Sequence, residues 1–73
     1  MGNHDALLLD RVDTILSTSP YLSRRKLRLE TQEGRVTLRG EVDSFFQKQM
    51  AQEAIRRLDG VREIQNELEV VAF

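Results

Sequence analysis

Leu8, Val12, Ile15 and Leu16 fall at helical spacing near the start of the chain, with Leu9 beside them and Asp5, Asp10, Arg11 and Asp13 on the other faces. The pattern predicts an amphipathic helix from roughly Asp5 to Thr18. Asn3 or Asp5 can cap its amino end. Ser17, Thr18, Ser19 and above all Pro20 stop it, because proline lacks an amide donor and pushes the preceding residue out of the helical region. From Lys26 the period changes to two. Leu27, Leu29 and Thr31 point one way and Lys26, Arg28 and Glu30 the other. After the Gln32-Glu33-Gly34 turn, Val36, Leu38, Gly40 and Val42 alternate with Arg35, Thr37, Arg39 and Glu41.

The two alternations predict a hairpin. A loop of two or four residues pairs Leu29 with Leu38 and Thr31 with Val36, keeping both apolar rows on one face. Gly40 then faces Leu27, where a missing side chain permits a bulge or the close approach of a helix. Ser44 and Gln47 match the capping-box spacing and open a second helix running to about Leu58. Its apolar stripe is Phe46, Met50, Ala51, Ala54, Ile55 and Leu58, and Asp59-Gly60 ends it. Val61 leads into a third alternation, with Ile64, Asn66, Leu68 and Val70 inward and Glu63, Gln65, Glu67 and Glu69 outward.

The order αββαβ predicts an α+β fold of two layers, with both helices packed on one face of a three-stranded sheet. The second helix is a crossover that can bring strand three beside strand one, which favours strand one in the middle. Arg28 and Arg39 then lie across from each other on the outer face, with Glu63, Glu67 and Glu69 on the adjacent strand. Residues 1–4 are expected to be a flexible start, 5–71 a single domain and 72–73 its end.

Composition narrows the function. A chain of 73 residues has room for one hydrophobic core and buries about 60% of its unfolded surface. At 40% apolar and 32% charged residues it is too apolar for a disordered segment and too polar for a membrane span. The net charge of -1 removes any global attraction to polyanions, so a pull on phosphates must be local. The lack of cysteine excludes disulfides, thiolate metal sites and a cysteine nucleophile. His4 is the only histidine, and the serines sit at caps and turns, so no nucleophile, base and orienting group come together. The sequence therefore points to no enzyme, no cofactor and no metal. Gly34, Gly40 and Gly60 are isolated, so there is no phosphate-cradling loop, and Ala6 breaks the myristoylation pattern after Met1-Gly2. The outward sheet positions hold no aromatic on which a base could stack, which argues against nucleic acid.

Several segments then carry the resemblance. They are Gly34-Arg35-Val36-Thr37-Leu38-Arg39-Gly40-Glu41-Val42-Asp43-Ser44, the helix containing Ala51, Ala54 and Ile55, Leu58-Asp59-Gly60-Val61, and Ile64-Gln65-Asn66-Glu67-Leu68. In this arrangement the chain resembles the BON domain, a family of small bacterial modules named for osmotically induced periplasmic proteins and nodulation proteins. The resemblance implies a non-enzymatic module that attaches proteins to phospholipid membranes or to other envelope components. It implies that Gly34, Gly40, Gly60, Val61 and Asn66 are structural, with the Asn66 amide spent on neighbouring backbone.

The densest charge feature is Arg24, Arg25, Lys26 and Arg28, the candidate site for anionic phospholipid headgroups, since arginine forks a phosphate through two donors. Beside it, Tyr21 and Leu22 either cap the core or meet a membrane interface. Phe45 is expected to cover the edge of the core; with Val71 and Phe73 it offers the alternative of a protein-binding patch, in a module belonging to a larger envelope or stress-related protein. No apolar run spans a bilayer, and Met1 to Leu9 lacks a signal peptide's basic start. Taken as written, the chain is expected in the cytoplasm, peripheral at the membrane, or in the periplasm if cut from an exported parent.

Overall fold

Helix α1 (Asn3–Thr18) buries the stripe its spacing predicts: Leu8, Val12 and Leu16 lie in the core, Ile15 packs against it, and Leu7 and Leu9 stay exposed. The computed structural model describes residues 3–20, 22 and 27–71, with side chains from Ala6 onward. At the carboxyl end of α1 the Thr18 hydroxyl shares its hydrogen between the carbonyls of Thr14 (3.0 Å) and Ile15 (3.1 Å), bonding back to its own last turn.

Strands β1 (Leu27–Gln32) and β2 (Arg35–Val42) form the antiparallel hairpin in the expected register, with Leu29 opposite Leu38, Thr31 opposite Val36 and Leu27 opposite Gly40. The loop is the two-residue case. Glu33 and Gly34 both take positive φ (52° and 86°), the pairing whose twist matches that of the flanking strands.

Helix α2 (Phe45–Arg56) begins at the Ser44 cap: the Gln47 N–H donates to Ser44 Oγ (3.2 Å). The Gln47 side chain reaches back one residue further than a capping box requires, accepting from the Asp43 N–H at 2.6 Å. Ala51 and Ile55 are buried, and the helix ends two residues earlier than its stripe suggested, at Arg56. Strand β3 (Glu63–Val70) then runs parallel to β2, its start tied down by the Arg62 and Glu63 N–H groups, which donate to the Gly34 carbonyl at 2.8 and 3.3 Å.

The sheet order is β1-β2-β3, so β2 occupies the middle and not β1, as the crossover argument had favoured. The physical reason lies in both faces of β2. Val36, Leu38 and Val42 are buried under the helices, and on the outer face Thr37 is only 8% exposed, covered by neighbours on both sides. Strand β1, with Arg28, Glu30 and Gln32 turned outward and only Leu27 fully buried inward, suits an edge. A parallel pair needs a crossover, and α2 supplies it by laying β3 beside the strand it has just left.

Three further expectations fail at one end of the sheet. Phe46, assigned to the core stripe, is 53% exposed, and Phe45, expected to cover the core edge, is 61% exposed. Helix α2 starts three residues after β2 ends, which places its first turn at that end of the sheet. Val70, read as inward, is 41% exposed at the same end.

Candidate functional site

The outer face of the sheet is a charge ladder. Arg39 on β2 sits between Arg28 on β1 and Glu67 on β3; one row along, Glu30, Thr37 and Gln65 are neighbours, and beyond them Gln32, Arg35 and Glu63. Arg39 donates through Nε to Glu67 Oε1 (3.0 Å) and through Nη1 to Glu30 Oε1 (3.3 Å), and Arg35 Nε lies 3.5 Å from Glu63 Oε1. The Arg39 pKa is raised above its ordinary value, first by the hydrogen bond to Glu67 and then by the charges of Glu30 and Glu67, so the guanidinium stays charged at any working pH. Two of the glutamates that neutralise this face, Glu63 and Glu67, do so from β3 against β2, the neighbour that the corrected strand order provides, and Glu30 does so from β1.

Arg28 is different. It is exposed and forms no ion pair with any described residue, while Arg35 and Arg39 are engaged. The face as a whole carries three arginines against five glutamates among the described residues, so it has no general attraction for anions and any such attraction is confined to the Arg28 corner. Arg24, Arg25 and Lys26, the other candidate lipid-binding residues, lie outside the described residues, as do Tyr21, Phe73 and the His4 side chain. The chain that carries them leads into Leu27, which pairs with Gly40 near the end of β2.

That end of the sheet collects several features. Val42 and Val70 are partners in register, and the Val71 N–H donates to the Val42 carbonyl at 2.8 Å, so both parallel strands finish together. Helix α2 starts there, with Phe45 and Phe46 in its first turn. Leu22 and Val71 are half-buried, and Leu22 packs against the core. The doublet of phenylalanines directly after a helix cap was the sequence signal for this exposed corner. Helical periodicity instead assigned Phe46 to the stripe, because it stands four residues before Met50.

The residues named as structural occupy the opposite end and the helix–sheet seam. Gly34 has φ +86°, and a Cβ placed on it would come within 2.6 Å of the Arg62 side chain and 3.0 Å of the Gly60 carbonyl oxygen. Gly60 itself has φ +99°, and Val61 follows it, packed against the core. Gly40 lies in β2 between Leu27 and Leu68 in an unbroken ladder. The Asn66 amide donates to the Lys48 carbonyl (2.8 Å) and to Gln52 Oε1 (3.2 Å), and its Oδ1 accepts from the Leu68 N–H (3.3 Å). This one side chain therefore clasps α2 to β3 and satisfies an amide on the open strand edge. Sequence reasoning gave Asn66 a backbone partner but missed the tie to α2.

Among the described residues no three metal-ligating side chains cluster, and no helix is long and apolar enough to cross a membrane. The hydroxyls of Ser44 and Thr18 are committed to helix ends. Compared with curated proteins, the chain finds no match. Compared with protein families, it matches the BON domain over residues 4–72, nearly its whole length.

Proposed function

The chain belongs to the BON domain family, and from that premise we propose that it attaches to phospholipid surfaces through the basic run leading into β1, with anionic headgroups as its ligand. BON domains are non-catalytic binding modules that occur in periplasmic and envelope proteins, where such surfaces are within reach. The observation that carries the reading is Arg28, the outward arginine that no described carboxylate neutralises. Arg24 stands four positions before it, so at about 3.6 Å per residue the Cα atoms of the four basic residues can lie no more than roughly 14 Å apart. Each basic residue near an anionic surface contributes about 1 kcal/mol, decaying over a Debye length of about 8 Å at physiological salt.

The test is co-sedimentation with vesicles, neutral or containing phosphatidylglycerol, at low and physiological salt, comparing the parent chain with Arg24→Glu plus Arg25→Glu. The proposal expects binding only to the anionic vesicles, weakened by salt and abolished by the double substitution. Equal binding to neutral vesicles, or none to either, would sink it and favour the protein-interaction reading.

A further inference from the structure

The sheet has two edges, β1 and β3, and they are not alike. On β3 the Leu68 N–H is already taken by Asn66 Oδ1. Pairing β3 with itself would also bring its outward glutamates, Glu63, Glu67 and Glu69, against one another in any register that overlaps most of the strand. Strand β1 carries no such protection: it holds no proline, and its ladder with β2 runs from Leu27 to Gln32 without a bulge. In a two-residue hairpin the residues flanking the loop exchange both ladder hydrogen bonds. Gln32, Glu30 and Arg28 therefore bond toward β2, and Leu29 turns its N–H and C=O to the edge.

Alternation leaves few ways of pairing β1 with a second copy of itself. An antiparallel two-fold that keeps both inner rows on one face has its axis on a residue. On Arg28 the axis opposes two arginines, and on Glu30 two glutamates. On Leu29 it sets Arg28 of each copy across from Glu30 of the other, with Leu29 facing Leu29 and Leu27 facing Thr31. We propose that two copies of the chain pair antiparallel through β1 about Leu29, joining their sheets into one of six strands with Arg28–Glu30 ion pairs across the seam.

The pairing supplies Arg28 with the carboxylate it lacks among the described residues of its own chain. Glu30 accepts from Arg39 through Oε1 at 3.3 Å, and its second oxygen can take a further donor. The inner face agrees. Leu27 is buried, whereas Leu29 and Thr31 are half-buried and line one cleft with Ala6 and the exposed Leu9 of α1. The two-fold sets the open Thr31 side of one copy against the closed Leu27 side of the other. One six-residue strand makes an interface below the roughly 1,200 Å² of stable complexes, so the association is weak and belongs to high protein concentration. The proposal does not rest on the phospholipid reading, since a guanidinium has five N–H donors and a carboxylate engages two of them.

Sedimentation velocity without vesicles, from about 10 μM to 1 mM, tests the pairing by charge reversal. The expected result is a concentration-dependent dimer for the parent chain, association at least tenfold weaker for Arg28→Glu alone and for Glu30→Arg alone, and recovery when the two variants are mixed. Mixing restores opposite charges at both contacts, which a merely structural role for either residue would not reproduce. Amide exchange at Leu29 should slow as the parent concentration rises, and this readout decides the matter should Glu30→Arg fail to fold by circular dichroism. A parent chain that stays monomeric, a dimer indifferent to Arg28→Glu, folded variants that do not recover on mixing, or exchange at Leu29 independent of concentration would overturn the pairing and leave the phospholipid reading in place.

Discussion

Replacing Asn66 by alanine removes two donated bonds, to the Lys48 carbonyl and Gln52 Oε1, and leaves the Leu68 N–H without its acceptor. A hydrogen bond contributes about 0.5–1.5 kcal/mol net, and an unsatisfied buried donor costs about 1–3 kcal/mol. Asn66 is half-buried on an edge strand, so water can reach part of the vacated site and the lower ends of these ranges apply. The expected loss is about 2 kcal/mol, a large share of the roughly 4–11 kcal/mol available to a chain of this length. At about 4–8 °C per kcal/mol for a domain of this size, the melting temperature should fall by about 8–16 °C, measured by far-ultraviolet circular dichroism. Asn66→Asp supplies the control. It keeps the acceptor for Leu68 but turns a carboxylate toward the oxygens of Lys48 and Gln52, so at pH 7 it should be no more stable than the alanine variant. A melting temperature for Asn66→Ala within about 2 °C of the parent would refute the clasp as a source of stability.

Two more outcomes follow from local geometry. Gly34→Ala should cost about 2 kcal/mol, since a left-handed φ alone costs an alanine about 1–2 kcal/mol and its Cβ would also press on the Gly60 carbonyl; urea unfolding checks this, and an unchanged midpoint would contradict it. Ser44→Ala should cost about 1 kcal/mol through the lost cap, with faster amide exchange at Gln47 as the local signature.

The elements were legible because each rests on a period. The α1 stripe, the wet and dry faces of the strands and the Ser44 start all follow from spacing, and the hairpin register follows from an even loop. Strand order was not, because alternation records which face of a strand is buried but not which neighbours it has. The decisive feature, the burial of Thr37 on an otherwise polar face, depends on Glu30 and Gln65 arriving from two different strands. Phe46 misled for a related reason. Periodicity assumes that every turn packs alike, and nothing in the spacing of α2 shows that the rings of its first turn stay exposed. The Arg28–Arg39 juxtaposition was legible from the hairpin. That Arg39 has a second carboxylate, Glu67, beside its β1 partner Glu30, and Arg28 has none, depends on β3 lying against β2.

The central claim is that the Arg28 corner, and not the general charge of the sheet, meets the phospholipid. It is tested most directly by the affinities of Arg28→Gln and Arg35→Gln for phosphatidylglycerol vesicles at physiological salt. Both substitutions remove one exposed positive charge, but Arg35 is paired with Glu63 and sits at the turn end of β2. The account predicts about a fivefold loss for Arg28→Gln, the equivalent of about 1 kcal/mol, and less than a twofold loss for Arg35→Gln. Equal losses for the two, or none for Arg28→Gln, would contradict it.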